Sequence, residues 1–262
     1  AIHDIAFHPS NLIIATATEN HDIRLYDLSS TQRKSFKWLV DSYPIWSTAF
    51  HPSGQYLFAG TAHSALRIFD VQNLKCFSTV VTSASDETAG GVSNGISCVR
   101  PSPDGRFAVT STLDGNIRLF DVVSGQCVST WRAAHNGHRV TSLSVSKSGA
   151  YALSSGEDGT VRLWELSSGR TLKVYYSSAT TCPRRPGPAA SIVPGPRASF
   201  SHDEQHIIGT SKAGVATAWD CVTGSIVTEF GSSGTVCSLA NPIYRDSICW
   251  NQDGDVAYFS SA

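Results

Sequence analysis

The side chains with the types and spacing to do chemistry gather in one stretch. His138 follows Gly137, Ser154 and Ser155 stand side by side further along, Asp158 opens an Asp-Gly pair, and Trp164 closes the group. Serine, imidazole and carboxylate are the parts of a hydrolytic triad, in which the base takes the serine proton and the carboxylate orients the base. Such a serine needs an exposed, sharply turned site of the G-x-S-x-G kind. Ala152 and Leu153 stand where its first glycine would be, so neither serine has it. The same four types also solve a burial problem. An indole N–H, a hydroxyl, an imidazole and a carboxylate can satisfy one another in a chain when all are taken out of water. This reading makes His138, Ser155 (with Ser154 as its alternative), Asp158 and Trp164 a structural tetrad. Removing His138 or Asp158 is then expected to destabilise the strands around it.

Little else invites chemistry. The seven cysteines are Cys76, Cys98, Cys127, Cys182, Cys221, Cys237 and Cys249, with no C-x-x-C pair and no His-rich neighbourhood, so zinc is not expected. Their odd number and scatter fit a reducing compartment. No phosphate-cradling loop and no convincing carboxylate pair is found, so neither a cofactor nor catalysis is expected. Lys and Arg total 20 against 21 for Asp and Glu, which lacks the dense basic footprint of a surface given over to nucleic acid. No apolar run is long enough to span a membrane.

The elements that must position these residues emerge from an internal repeat. Segments ending in an aromatic and an acidic residue recur as IRLYD (Ile23–Asp27), LRIFD (Leu66–Asp70), IRLFD (Ile117–Asp121) and VRLWE (Val161–Glu165), with weaker copies at Thr217–Asp220 and Ala257–Ser260. Each follows a turn whose second residue is Pro9, Pro52, Pro103, Lys147, His202 or Pro242. The matching ends are Asp27, Asp70, Asp121, Glu165, Asp220 and Ser260, at one unvarying distance in all six copies. Within each copy the hairpin turn also keeps its place, and there Asp114, Asp158 and Asp253 each precede a glycine, the pairing that tight hairpins favour because glycine accepts positive φ. Between copies the spacing is elastic, shortest from Asp220 to Pro242 and longest from Glu165 to His202. Fixed inner hairpins and elastic outer connections describe a radial array of four-stranded sheets, an all-β propeller.

The repeat blocks run over about 1–27, 45–70, 96–121, 140–165, 198–220 and 235–260, within a single domain over 1–262. Outer strands are read at Cys76, Cys127, Leu172 and Ile226. None is read after the last block or before the first, so the expectation is a seven-bladed ring whose first blade or closing strand lies outside this stretch; a self-sufficient six-bladed ring is the alternative. Arg24, Arg67, Arg118 and Arg162 recur in the third strand, a periodicity that points to packing rather than to a ligand.

In register, three stretches carry a family likeness: IHDIAFHPSNLIIATATENHDIRLYD from Ile2, STAFHPSGQYLFAGTAHSALRIFDVQNLKCF from Ser47, and GHRVTSLSVSKSGAYALSSGEDGTVRLWELSSGRTL from Gly137. They resemble the WD40 repeat region of the cleavage stimulation factor 50 kDa subunit family, which acts in 3′-end processing of messenger RNA precursors. The middle stretch is the most specific, with His63 in place of the usual Asp-Gly turn. The resemblance implies a nuclear, non-enzymatic, seven-bladed scaffold that binds the seventy-seven-kilodalton subunit of the same factor and contacts the RNA polymerase II tail. It also implies that RNA contact belongs chiefly to another subunit, and that homodimerisation runs through a helical domain not found in this stretch. Repeat grammar alone equally permits a WD40 adaptor in splicing or ubiquitin transfer, or a propeller that contacts RNA.

Interfaces favour Trp, Tyr and Arg. Tyr43, Trp46 and Arg139, in the elastic connections or just inside the next strand, are the candidates there. Residues Thr181 to Arg197 hold five of the eleven prolines and three arginines, which reads as an exposed insertion or a docking segment, with Arg184 and Arg185 available to an acidic or RNA partner.

Overall fold

The computed structural model describes residues 1–29, 34–79, 95–176, 197–210, 215–230, 247–250 and 257–260. They divide into two compact units, Ala1–Trp131 and Arg132–Ala262.

The first unit holds three antiparallel sheets of four strands, each in chain order. They are β1 (Ile2–Phe7), β2 (Ile13–Thr18), β3 (Asp22–Asp27) and β4 (Lys37–Val40); β5 (Ile45–Phe50), β6 (Tyr56–Thr61), β7 (Arg67–Asp70) and β8 (Cys76–Ser78); and β9 (Ile96–Pro101), β10 (Phe107–Thr112), β11 (Ile117–Asp121) and β12 (Gln126–Trp131). The second unit holds two more: β13 (Val140–Val145), β14 (Tyr151–Gly156), β15 (Thr160–Glu165) and β16 (Thr171–Tyr176); and β17 (Ala198–Phe200), β18 (His206–Thr210), β19 (Ala216–Asp220) and β20 (Ile226–Phe230). A pair, β21 (Ser247–Trp250) and β22 (Ala257–Ser260), follows.

The constant spacing within each repeat is the length of strand two, a tight turn and strand three. Alternation then decides which side chains are buried. In β3, Ile23 and Leu25 point into a core while Arg24 and Tyr26 point the other way. Each core lies between consecutive sheets of a unit. Ala15, Ala17, Ile23 and Leu25 of the first sheet meet Leu57, Ala59 and Phe69 of the second, and Phe58 and Ile68 of the second meet Val99, Ala108 and Phe120 of the third. In the second unit, Leu153, Val161 and Leu163 meet Ile207 and Trp219. No sheet buries both faces alone, so neighbour stacking supplies the hydrophobic stabilisation.

Bulges give the stacking its register. The first strand of four sheets shifts by one residue against the second, between Ile2 and Asp4, between Ile45 and Ser47, opposite Ser111/Thr112, and between Val140 and Ser142. The residue after the bulge is re-aimed at the next sheet. There the Thr48 amide donates to Asp4 Oδ2 (3.1 Å), the Val99 amide to Ser47 Oγ (3.2 Å) and the Ala198 amide to Ser142 Oγ (3.0 Å).

One strand departs from the sequence reading. The outer strands read there begin at Cys76, but the first sheet also has one, β4, which includes Trp38. Lys37–Val40 is a short strand, and just Leu39 in it is buried, so its alternation is faint. The Pro/Arg-rich insertion lies outside the described residues except for Arg197, as does most of the block at 235–260.

Candidate functional site: the polar chain of the fourth sheet

The hairpin between β14 and β15 closes on Gly156, Glu157, Asp158 and Gly159, with Gly159 at φ 79° and its amide bonded to Gly156 O (3.0 Å). The Asp158 carboxylate turns inward and gathers donors. Its Oδ1 accepts from the Thr160 amide (3.0 Å) and hydroxyl (2.9 Å), and its Oδ2 accepts from Arg162 Nη2 (3.1 Å). The imidazole that meets it belongs to His135. Its Nδ1 lies 2.9 Å from Asp158 Oδ1, and its Nε2 lies 2.7 Å from Ser154 Oγ. Trp164 Nε1 donates to the same Ser154 Oγ at 2.7 Å.

The donors and acceptors assign the hydrogens. The indole N–H donates to Ser154, the serine hydroxyl to Nε2, and Nδ1–H to the carboxylate, so all four groups are satisfied by a neutral imidazole. Burial holds the His135 pKa below the ordinary imidazole value, outweighing the carboxylate beside it. For Asp158, burial acts to raise the pKa, but hydrogen bonds from His135 and Thr160 prevail and bring it to about 2. His135 and Ser154 are fully buried, so no substrate can reach this serine, and its proton is already committed. The arrangement locks a hairpin to the loop that precedes the sheet.

Two members of the expected tetrad are therefore corrected. His138 is only half-buried and takes no part, and the central hydroxyl is that of Ser154. Ser155 points to the opposite face of the strand, where it meets Ser142 Oγ at 2.7 Å. The loop explains the exchange of histidines. Ala133, Asn136 and Gly137 all have positive φ, and the His138 amide bonds His135 O (2.9 Å), so the chain reverses between the two imidazoles. The Asn136-Gly137 pair is the turn signal that separates them in the sequence. Gly156 makes room for the ring: a Cβ there would stand 2.3 Å from His135 Nδ1.

Residues 1–27, 35–70, 88–121 and 125–165 match the family model described as WD domain, G-beta repeat, and together they make up more than half of the sequence. The chain belongs to the WD-repeat family. Cleavage stimulation factor subunit 50 of Arabidopsis thaliana is 35% identical over 147 residues, which are 56% of this chain and 33% of that protein. The chain thus matches about a third of the length of this curated relative. As a WD-repeat domain it is a scaffold that binds other proteins, not an enzyme. Among the described residues no group of three His, Cys, Asp or Glu side chains could hold a metal, and no helix is long and apolar enough to cross a membrane.

The other WD repeats answer the same burial problem differently. Tyr26, Phe69 and Phe120 replace Trp164 and carry no indole N–H; in the first and third sheets Thr16 and Thr110 turn their hydroxyls to the carbonyls of Arg24 and Arg118. Trp219 keeps the indole, but Gly209 stands where Ser154 would. The ring settles over that glycine and donates to Tyr176 O at 3.0 Å. In the second sheet, Asp41 carries the buried carboxylate and pairs with Arg67 Nε at 3.0 Å. It sits in the loop before the sheet, a place with no repeat signature to betray it in the sequence. Arg24 pairs with Asp22 at 2.8 Å and Arg118 is fully buried, so the recurring arginines serve the sheets.

Of the interface candidates, Tyr43 is 40% exposed, its amide held by Asp41 Oδ1 (3.1 Å) and its ring tilted against His63 at 5.6 Å. Trp46 is half-buried over Gly95, where a Cβ would stand 2.5 Å from its ring. Arg139 is half-buried and its carbonyl accepts from the Glu157 amide (2.9 Å). Arg184 and Arg185 lie outside the described residues.

Proposed function

We propose that this chain is the WD-repeat scaffold of a cleavage-stimulation-factor-50-type subunit, working in the nuclear machinery that cleaves and polyadenylates messenger RNA precursors. The observation that carries the reading is the 35% identity over 147 residues with a relative of that name. Its sheets are read as blades of a propeller, seven in number as the family likeness implies, over a single domain. The repeated sheet-to-sheet bonds of each unit support that reading. The partner it would hold is the seventy-seven-kilodalton subunit of that factor, with the polymerase tail as a further contact and RNA reached through other subunits. Tyr43 is the leading contact residue, because it is exposed and held in place by Asp41. Trp46, Arg139, Arg184 and Arg185 are the further candidates.

Co-purification of the intact protein with that partner subunit from nuclear extract tests this. Association is expected with wild type, and Tyr43→Ala is expected to weaken it about tenfold, the usual loss for an aromatic anchor. A wild-type protein that fails to associate would overturn the assignment. Undiminished association of Tyr43→Ala would overturn the contact residue alone.

A further inference from the structure

Two imidazoles join neighbouring sheets of the first unit in the same manner. His8, in the turn between β1 and β2, lies with Nδ1 facing the amides of Ser10 (3.1 Å) and Asn11 (3.0 Å) and Nε2 facing Gly54 O (3.2 Å). His51, in the turn between β5 and β6, faces the Ser53 amide (3.0 Å) and hydroxyl (2.8 Å) with Nδ1, and Gly105 O (3.0 Å) with Nε2. Donors on one nitrogen and a carbonyl on the other require a neutral ring with its proton on Nε2. The fit is close: a Cβ on Gly54 would stand 2.4 Å from the His8 ring, and one on Gly105 2.3 Å from His51. The clamps are also linked in series. The Gly54 amide donates to His51 O (2.8 Å), so the turn that His8 holds is the turn that carries His51.

We propose that His8 and His51 form a proton-sensitive relay that couples the three sheets of the first unit. A proton added at Nδ1 points at backbone N–H groups and removes the acceptor they share. The ring then swings away, and its Nε2–H leaves the neighbouring carbonyl. Around His8 stand the Phe50 ring (5.0 Å between centroids) and the turn that carries Gly54, whose titratable members are His51 and Tyr56. Around His51 stand the rings of Tyr56 (6.1 Å) and Phe58 (5.9 Å), and the turn that carries Asp104, Gly105 and Arg106. Asp104 is occupied by the Ser102 hydroxyl and the Arg106 amide (3.1 Å). Among the described residues no carboxylate bonds either imidazole. The second unit joins its corresponding turns without an imidazole: Lys147 Nζ donates to His202 O (2.7 Å), and the Lys147 amide meets Glu204. It serves as an internal control.

Amide hydrogen exchange, read residue by residue at about pH 7.5 and about pH 5.5 and corrected for intrinsic rates, tests the relay. Protection of the His51, Gly54, Ser102 and Gly105 amides is expected to fall roughly three- to tenfold on acidification, the loss of one hydrogen bond. Ser146 and Gly149 are expected to keep theirs, since His135 sits at the other end of their sheet. In His8→Gln, which keeps a donor but cannot titrate, the response at Gly54 should shrink to the part that His51 supplies, while the responses at Ser102 and Gly105 are kept. Unchanged protection at the four amides in the wild type, an equal loss at Gly149, or a response at Gly54 as large in His8→Gln as in the wild type would overturn the proposal. Should that variant not fold, long-range proton–nitrogen spectra of the wild type still decide, because Nδ1–H rings for His8 and His51 at neutral pH would overturn it too.

Discussion

At the scale of single residues, two histidines three positions apart have different fates. His135→Ala leaves the Asp158 carboxylate buried with a donor gone and cuts the chain from Trp164, and should cost about 3 kcal/mol in denaturant unfolding. His138→Ala should stay within about 0.5 kcal/mol, as surface changes do. Trp164 fluorescence follows both. Gly156→Ala should resemble His135→Ala, because its methyl would occupy the place of the imidazole. Acid probes the same chain. His135 is held below the ordinary imidazole value, so its contribution is complete above about pH 6.5 and is lost as the pH falls, the unfolded chain taking the proton first. Asp158, at about 2 when folded, adds roughly 2 kcal/mol that is present above the ordinary carboxylate range and fades as the pH falls toward 2. A stability-against-pH curve of wild type and His135→Gln separates the two windows. An acid-independent difference between them would contradict the assignment of His135.

At the scale of the element, the legible features were those that recur. Strands two and three and the turn between them have a fixed length, so the constant spacing and the Asp-Gly pairs disclosed them in the sequence. The outer strand β4 escaped because it is short and only Leu39 in it is buried. The bulges escaped for another reason: they are defined by the partner strand, and no residue type marks them. Glycines at equal φ are also unequal in surroundings. Gly54, Gly105 and Gly125 have φ of 75°, 74° and 67°, yet only the first two face an imidazole, and nothing lies near Gly125. Gly125→Ala should cost about 1 kcal/mol of backbone strain. Gly54→Ala and Gly105→Ala should cost about 2 kcal/mol more, as the clamp is forced open. Equal losses at the three sites, measured by chemical denaturation, would mean that the clamps contribute nothing.

At the scale of the whole molecule, burial comes from a neighbouring sheet. Phe50, in the first strand of the second sheet, is 7% exposed and lies against the His8 ring of the first. Phe50→Ala should therefore cost about 3–4 kcal/mol of unfolding free energy. A loss below about 1 kcal/mol, measured by chemical denaturation, would mean that sheet stacking does not govern the stability of this unit. The family and its scaffold class were determined by the sequence alone, because a repeat must spell out its hairpins residue by residue in every copy. Which imidazole meets Asp158, which serine meets Trp164, that Asp41 carries the buried carboxylate of the second sheet, and that the Trp219 indole turns to Tyr176 O were decided only in three dimensions. Those choices turn on which way a loop reverses and on what an adjacent strand leaves unfilled, and both are set by packing between segments that lie apart in the chain.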